Sequence, residues 1–434
     1  MLIRFYNVKI WTSEHGLIDG ELWVENNRIR MVSQVSPLIL LPWDREIDGR
    51  GGLLIPTFKN AHAHSPMTFL RSWADDMPLQ EWLTCQVFPN EAKLTADDCY
   101  WLTKLAIAEY VCGGIGACAD MYFHLPAIAA ASAECGFRQT IMDGIVASDL
   151  QAGDGAVYDR LERRLQRGFD EIDGMGNGLV SYRIGLHAEY TNTEETMRAM
   201  ARFAGERHLP VGTHLSETAR EVRECRERCG VSPVRLLCDL GMFEYGGAAY
   251  HCVHVDDEDM RLLREHGVSV VSCPASNLKL AGGIAPLQKM ADAGVRLALG
   301  TDGPASNNAL DFFREMYLAS VLQKGVSGHA EAMPAERVLD IATRGGAAAM
   351  GLTDCDGIRV GALADLTLID FGRPNMQPLN DPIKNLIYAG GKDNVRMTVI
   401  DGKIVYEDGQ WSIGEDIERI YERCSDIASR IRGV

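Results

Sequence analysis

The sequence predicts an α/β fold: a (β/α)8 barrel of the TIM type, with a small β-sandwich formed by both chain termini. Short apolar runs alternate with helix-patterned segments through about 300 central residues, as in a parallel barrel. Both chain ends show strand-like alternation instead. A chain of 434 residues is long enough for one large domain and a smaller one. We expect the sandwich in residues 1–54 and 357–434, the latter with a helix, and the barrel in residues 55–356.

The β-rich ends justify the sandwich. Residues 18–32 alternate apolar and polar side chains around Asn26-Asn27, which predicts a hairpin. A similar pattern returns at residues 399–409, and residues 366–371 predict another strand. Residues 415–432 place apolar side chains at helical spacing. The two ends therefore meet in space if they share one β unit.

The middle of the chain justifies the barrel, although the pattern alone does not fix the number of strands at eight. The apolar runs that predict strands are residues 53–56, 179–186, 209–213, 247–250, 268–271 and 295–299. The segments with helical patterning are residues 194–206, 217–227, 256–265 and 286–293. Repeated alternation of this kind is typical of βαβ units and a parallel sheet.

Composition narrows the function classes. A net charge of −17 argues against binding to nucleic acid or to an anionic membrane, because both need a basic surface. No apolar run approaches the ~18 residues of a membrane span. The twelve cysteines are scattered and no signal peptide is evident, so we expect reduced thiols and a cytoplasmic protein. We also expect a homo-oligomer, with residues 67–70 and Trp82 as interface candidates if they are exposed.

Four polar strings follow apolar runs, at the ends of predicted strands. They are residues 60–64 (NAHAH), 213–217 (THLSE), 251–254 (HCVH) and 301–303 (TDG). In a (β/α) barrel the carboxyl ends of the strands form one rim, which carries the active site. His62 and His64 differ by two positions, so an extended segment points both side chains to the same face.

Each residue of these strings also has an ordinary explanation. Chance gives about 0.3 His-x-His pairs in a chain with 11 histidines, so that motif is weak alone. His214 alone fits a core histidine, Glu217 a carboxylate at a helix start, and Asp302 a turn residue. Their joint occurrence in barrel order favours one site with three imidazoles and a carboxylate for a divalent metal. A further acid is then available for proton transfer.

The chain resembles the amidohydrolase superfamily over nearly its whole length. The matching strings are NAHAHSPMTFLR, DMYFH, HLSET, HCVH, SCPASNLKLAGGIAPL and LGTDGPASNN. It looks most like the mononuclear aminohydrolase branch, which contains S-adenosylhomocysteine/methylthioadenosine deaminases, chlorotriazine hydrolases and guanine deaminases. The resemblance implies one divalent metal, with Zn²⁺ expected first and Fe²⁺ as the alternative, because the ligand set accepts both. It implies a small heterocyclic amine or nucleoside as the partner.

The resemblance also implies roles for the residues of the polar strings. The metal ligands it implies are His62, His64, His214 and Asp302. Glu217 looks like the proton shuttle beside a ring nitrogen, and Asp302 like the acceptor of the water proton. His251 looks like the residue that assists the attacking water, and His254 is expected to be structural.

Three further residues resemble substrate-binding positions. His187 stands where bimetallic relatives carry a lysine, which favours one metal. Glu91 matches a glutamate that holds ribose hydroxyls, which points to a nucleoside. Arg160 matches the second of two arginines that grip a substrate carboxylate, but the first position is Asp143. An aspartate repels a carboxylate, so a neutral or cationic 5′ group is expected.

The sequence thus predicts a metal-dependent hydrolytic deaminase of an adenine nucleoside that releases ammonia. The adenosine, 5′-deoxyadenosine and methylthioadenosine types are favoured over S-adenosylhomocysteine. One alternative keeps the fold and acts on another N-heterocycle, such as guanine, a pterin or an s-triazine. Another is a catalytically silent barrel used for binding, but such a protein usually lacks a ligand or the acid, and all six positions are filled here.

Overall fold

The computed structural model describes residues 1–12, 14–34, 41–73, 75–77 and 79–433. Its strands, in chain order, are β1 (Leu2–Thr12), β2 (Gly16–Glu25), β3 (Arg28–Ser33), β4 (Arg45–Asp48), β5 (Leu53–Pro56), β6 (Phe58–Ala63), β7 (Ile115–Tyr122), β8 (Arg138–Ile145), β9 (Val180–Ala188), β10 (Val211–Leu215), β11 (Gly247–His251), β12 (Val268–Ser272), β13 (Arg296–Leu299), β14 (Leu366–Ile369), β15 (Val395–Ile400), β16 (Lys403–Glu407) and β17 (Gln410–Trp411).

The α-helices are α1 (Leu79–Trp82), α2 (Phe88–Glu91), α3 (Ala96–Cys112), α4 (Leu125–Glu134), α5 (Val157–Ile172), α6 (Met175–Gly178), α7 (Glu194–Arg207), α8 (Ala219–Cys229), α9 (Pro233–Asp239), α10 (Asp257–Glu265), α11 (Pro274–Lys279), α12 (Leu287–Asp292), α13 (Phe312–Ser327), α14 (Ala335–Asp340), α15 (Gly346–Met350), α16 (Pro382–Tyr388) and α17 (Ile417–Arg432). Short 3₁₀ turns lie at Ser65–Leu70, Ala147–Leu150, Glu189–Thr191, Pro374–Met376 and Lys392–Asn394, and π turns at Leu83–Val87 and Ile341–Gly345.

Eight parallel strands, β6 to β13, pair in sequential order to form the barrel. The first and last strands meet where the amide of Asp302 donates a hydrogen bond to the carbonyl of His62 over 3.0 Å. Helices follow the strands and cover the barrel, so the carboxyl ends of the strands share one rim. The predicted (β/α)8 barrel is confirmed.

The start of the barrel differs from the sequence-based expectation. The apolar run Leu53–Pro56 is β5, which pairs with β1 and β14 of the terminal sheet and not with a barrel strand. The first barrel strand is Phe58–Ala63. It contains polar side chains and therefore does not form an apolar run that would predict a strand. The patterning also missed β7 and β8, because buried polar residues such as Asp120 and Gln139 interrupt them.

Both chain termini build a second, nine-stranded sheet. Its order is β17-β16-β15-β14-β5-β1-β2-β3, and β4 also pairs with β1. The predicted hairpin is β2–β3, which pairs in antiparallel fashion. The two ends share a buried core, in which Ile3 and Phe5 lie in one cluster with Leu366, Met397 and Val399. The expectation that the termini meet in one β unit is confirmed.

A buried ionic cluster joins the two units close to the barrel's first strand. Arg138 Nε and Nη2 donate to the Asp365 carboxylate over 2.7 and 3.0 Å. Lys59 Nζ lies 3.9 Å from the same carboxylate. A buried charge left without its partner is strongly destabilising, so this cluster fixes the base of β6, three residues before His62.

Three other expectations from the sequence can be compared with the structure. Residues 67–70 and Trp82 are buried within the chain, so they do not offer a free interface, and the homo-oligomer stays a prediction. All twelve cysteines are free thiols. Among the described helices, none combines the length and the apolar character needed to cross a lipid bilayer.

Candidate metal centre and active site

The barrel rim turns sharply at the functional residues. His251 has a φ of 70° and Asp302 a φ of 59°, and Ser216, next to Glu217, has a φ of 50°. Residues other than glycine rarely adopt this left-handed region, and such strain concentrates at active sites. These positions lie at the end of β11 and just after the ends of β10 and β13.

Five side chains converge on one point of the rim. The His62 and His64 Nε2 atoms lie 3.6 and 3.2 Å from Asp302 Oδ1. These three residues offer ligand atoms within 4.8 Å of one another, and so do His62, His214 and His251. Nitrogen and carboxylate ligands in this number suit a zinc-like divalent ion.

The hydrogen bonds of the histidines fit metal binding. His64 Nδ1 donates to the carbonyl of Met121 over 2.5 Å, and His214 Nδ1 donates to the carbonyl of His187 over 2.7 Å. Both rings therefore keep an Nε2 lone pair for the centre, as metal-binding histidines do. His62 Nε2 is buried and has no hydrogen-bond partner. Burial lowers the pKa of His62 and of His214 well below the usual value, so these rings are neutral, as ligands must be.

Asp302 is held in one orientation and kept ionised. Its Oδ2 accepts hydrogen bonds from Ser276 Oγ and Ser306 Oγ over 2.5 and 2.7 Å. Although burial acts in the opposite direction, the imidazoles, His64 first, hold the pKa of Asp302 well below its usual range. The motif strings contain both serines, but sequence reasoning gave them no role, because spacing does not show which hydroxyl reaches a carboxylate.

Glu217 lies buried in the wall of the same cavity. Burial raises the pKa of its carboxyl, which favours a protonated acid that can donate a proton. The Glu221 carboxylate accepts the amides of Ser216 and Glu217 over 2.6 and 2.8 Å and so fixes the turn that presents Glu217. Glu221 has no role in the sequence-based prediction, and the signal for it was its place one helical turn after Glu217.

His251 and His254 behave differently. The ring of His251 is buried, with Nδ1 2.8 Å from Asn277 Oδ1, so its Nε2 faces the centre. His254 Nε2 donates to the carbonyl of Gly282 over 2.7 Å, which is the structural contact expected of it. Asn277 was part of a recognised string but was not predicted as a partner of His251.

A cavity of about 620 Å³ opens above the centre. Glu91 and His187 both line it, as expected of substrate-binding residues. Glu91 Oε1 is buried without a hydrogen-bond partner, and burial raises the pKa of its carboxyl to about 7. Burial lowers the pKa of His187 to about 4, so that ring is neutral. The apolar walls include Met67, Trp82, Val87, Phe88, Leu94 and Phe123.

The structure does not place Arg160 among the residues that line this cavity, so its contact with the substrate stays a prediction. Arg160 Nε donates to the carbonyl of Leu150 over 2.7 Å, and the guanidinium also holds the carbonyl of Gly155. Its role is to hold the loop before α5. One helical turn later, Arg164 lines the cavity instead.

Asp143 is neutralised by Arg164. The Arg164 Nε and Nη2 atoms donate to the two Asp143 oxygens over 2.9 and 2.8 Å, and Nη1 lies 2.9 Å from Asp149 Oδ2. Tyr182 Oη also donates to Asp143 Oδ2 over 3.3 Å. Asp143 itself is buried beneath the cavity wall, so Arg164 and Asp149 face the substrate space. One cation between two carboxylates leaves this group with a net charge of −1.

The chain is similar to known proteins over most of its length. A model of the amidohydrolase family matches residues 53–405. A 5-methylthioadenosine/S-adenosylhomocysteine deaminase of Moorella thermoacetica is 38% identical, covering 94% of each chain. One of Dictyoglomus turgidum is 35% identical, covering 97% of each.

The chain is also similar to a solved structure over its whole length. The crystal structure of an adenosine deaminase from Xanthomonas campestris with bound zinc superposes with a TM-score of 0.91 at 33% identity. The alignment covers 100% of this chain and 98% of that one. The resemblance drawn from the sequence motifs is confirmed, and the chain belongs to the amidohydrolase family.

Proposed function

We propose that the protein is a metal-dependent hydrolase that deaminates adenine nucleosides, with water and the nucleoside amine converted to a ring carbonyl and ammonia. One observation carries the proposal: Glu217, a buried acid with a raised pKa, faces the same cavity as three of the four proposed ligands, His64, His214 and Asp302. Acid–base catalysis needs such a donor beside the reacting ring. The relatives named above act on nucleosides of this class, which supports the choice of substrate.

The metal would be held by four side chains, those of His62, His64, His214 and Asp302. A bound divalent metal supplies a Lewis acid that lowers the pKa of water toward neutrality. The Asp302 carboxylate accepts the proton of the attacking water, and Glu217 protonates the ring nitrogen next to the amine-bearing carbon. His251 Nε2 steadies the attacking oxygen. The departing amine takes the proton held by Asp302 and leaves as ammonia, and the remaining hydroxyl proton returns to Glu217 as the ring carbonyl forms.

We propose zinc as the native metal. Three imidazoles and one carboxylate suit Zn²⁺, and the Xanthomonas campestris relative has bound zinc in its crystal structure. The same ligand set accepts Fe²⁺, and the measurement that separates them is metal analysis of protein purified without added metal. Zinc near one equivalent per chain is expected, whereas iron as the dominant metal contradicts the assignment.

Glu91 is the proposed ribose ligand. Its unpaired, buried Oε1 offers an acceptor to a hydroxyl, and a pair of ribose hydroxyls suits a carboxylate. We expect Glu91→Gln to raise KM for adenosine by about 10- to 100-fold with a smaller change in kcat, because hydrogen bonds to a charged group are lost. Steady-state kinetics on adenosine measures this.

The pH dependence of KM serves as the control for this substitution. Because the pKa of Glu91 is about 7, the wild-type carboxyl gains a proton as the pH falls through 7, and KM is expected to rise. In Glu91→Gln this dependence disappears. A KM for adenosine that is unchanged by the substitution rules out the ribose contact.

The 5′ end of the substrate is proposed to be neutral or cationic. Arg164 is already bound by Asp143 and Asp149, so no unpaired cation at this end of the cavity is left for a carboxylate among the described residues. A neutral or cationic 5′ group is therefore still proposed, but for a different reason. Asp143 does not face the substrate and acts instead by binding Arg164.

The substitution Asp143→Asn tests this proposal. It keeps the side-chain shape and frees part of the Arg164 charge. We expect kcat/KM for S-adenosylhomocysteine, relative to adenosine, to rise by about tenfold, because a charge-assisted contact becomes available. The ratio from the two substrates measured side by side is the readout. An unchanged or lower ratio contradicts the role given to this pair.

A panel of substrates tests the function itself. Zinc-loaded protein is assayed for ammonia release from adenosine, 5′-deoxyadenosine, methylthioadenosine, S-adenosylhomocysteine, guanine, isoxanthopterin and a chlorotriazine. Preference for an adenosine with a neutral 5′ group is expected. Activity confined to free bases, pterins or triazines would keep the metal chemistry and overturn the nucleoside assignment.

A further inference from the structure

The barrel contains a second cavity, on the side of His62 away from the active site. Barrel interiors are usually filled by layers of bulky side chains. Here small residues from four strands line the interior below the rim, namely Ala61, Ala119, Gly212 and Ala248, and a cavity of about 330 Å³ remains. Tyr250 also lines this cavity, and its ring stacks on that of His62 at 3.9 Å. The Tyr250 ring therefore lies between this cavity and the His62 ring.

Two arginines face the second cavity from opposite sides of the barrel. Arg183 lies on β9 and Arg296 on β13, the fourth and eighth of eight strands. Strand alternation explains the direction of Arg183, since it is four residues before His187 and shares its inward face. The hydroxyl-bearing residues Thr140 and Ser269 line the same space.

Neither arginine has an acidic partner among the described residues. Arg183 Nη1 donates only to the carbonyl of Tyr182, over 3.2 Å, and Arg296 makes no hydrogen bond or ion pair with a described residue. No aspartate or glutamate lines the cavity. The chain as a whole has 60 acidic and 43 basic residues, so a chamber with two cations and no anion runs against its average.

We propose that this cavity binds a small oxyanion group, a phosphate or a carboxylate, between Arg183 and Arg296. Guanidinium groups match these anions in shape and charge and bind them in a bidentate manner. Arg183 is half-buried, and its charge is screened less there than in bulk water, which strengthens the attraction. The volume exceeds that of a bare phosphate, so the anion is either free or carried by a compact metabolite. The site is independent of the deaminase chemistry at the rim.

The experiment is titration calorimetry on the full-length, zinc-loaded protein at constant ionic strength in chloride. Inorganic phosphate is one probe and ribose 5-phosphate the other, which separates a free anion from one on an organic carrier. We expect saturable binding of at least one probe. Arg183→Met and Arg296→Met should each weaken it at least tenfold. Arg167→Met, which removes an exposed arginine of α5, is the matched control and should bind like wild type.

Ammonia release and thermal stability are measured for each variant to confirm that it is folded. If Arg183→Met does not fold, Arg296→Met carries the test, because that side chain is exposed at the cavity mouth. The proposal is overturned if wild type binds neither probe, if both methionine variants bind as tightly as wild type, or if Arg167→Met loses binding to the same extent.

Discussion

Replacement of Glu217 by glutamine is expected to reduce kcat for adenosine deamination by about 10³-fold, in the range of a lost general acid. The amide keeps the size of the side chain and its place in the cavity wall but cannot protonate the ring nitrogen. Glu217 is not among the four proposed ligands, so the metal content is expected to stay at the wild-type level. Ammonia release and metal analysis on the same preparation measure both quantities.

The matched control is Glu227→Gln, which makes the same change at an exposed position of α8, the helix that follows Glu217. It should retain wild-type kcat and metal content. Wild-type turnover in Glu217→Gln would remove the acid–base role assigned to this residue. Loss of metal in that variant would show instead that Glu217 belongs to the coordination sphere.

The second large effect is expected from Asp302→Asn. This residue is both a proposed ligand and the proposed acceptor of the water proton, so two functions disappear together. Its neutral amide no longer balances a divalent charge, and its Nδ2 atom offers donors where Ser276 and Ser306 now donate to Oδ2. We expect a loss of deamination of at least about 10³-fold together with metal occupancy well below one per chain.

Asp426→Asn, at an exposed position of α17, is the control for the loss of one carboxylate. Circular dichroism and thermal unfolding show whether each variant is folded. Retention of a full metal complement and of activity in Asp302→Asn would contradict the assignment of Asp302 to the centre. Loss of activity with full metal content would separate its two roles and leave only the proton-accepting one.

Features of the fold and site that depend on local spacing could be predicted from the sequence. Strand periodicity and motif order predicted the barrel, the terminal sheet and the convergence of His62, His64, His214 and Asp302 at one rim, because these depend on local spacing. The sequence pattern did not predict β7 and β8, because polar residues at buried positions interrupt the apolar runs on which such predictions rest.

The partners that orient the site were harder to predict. Ser276 reaches Asp302 and Asn277 reaches His251, each across 26 positions, so only three-dimensional packing brings these pairs together. Arg160 and Arg164 lie one helical turn apart after an irregular loop, and the register of that loop decides which one faces the cavity. The charge balance around Asp143 likewise depended on a contact 21 positions away.

The central claim is that one metal per chain, held by this centre, is required for deamination. The most direct measurement removes metal with a chelator and titrates zinc back while ammonia release from adenosine is followed. Activity should rise linearly and reach its plateau at one equivalent of zinc per chain. Full activity in the metal-free protein, or a plateau that requires two equivalents, would contradict the account.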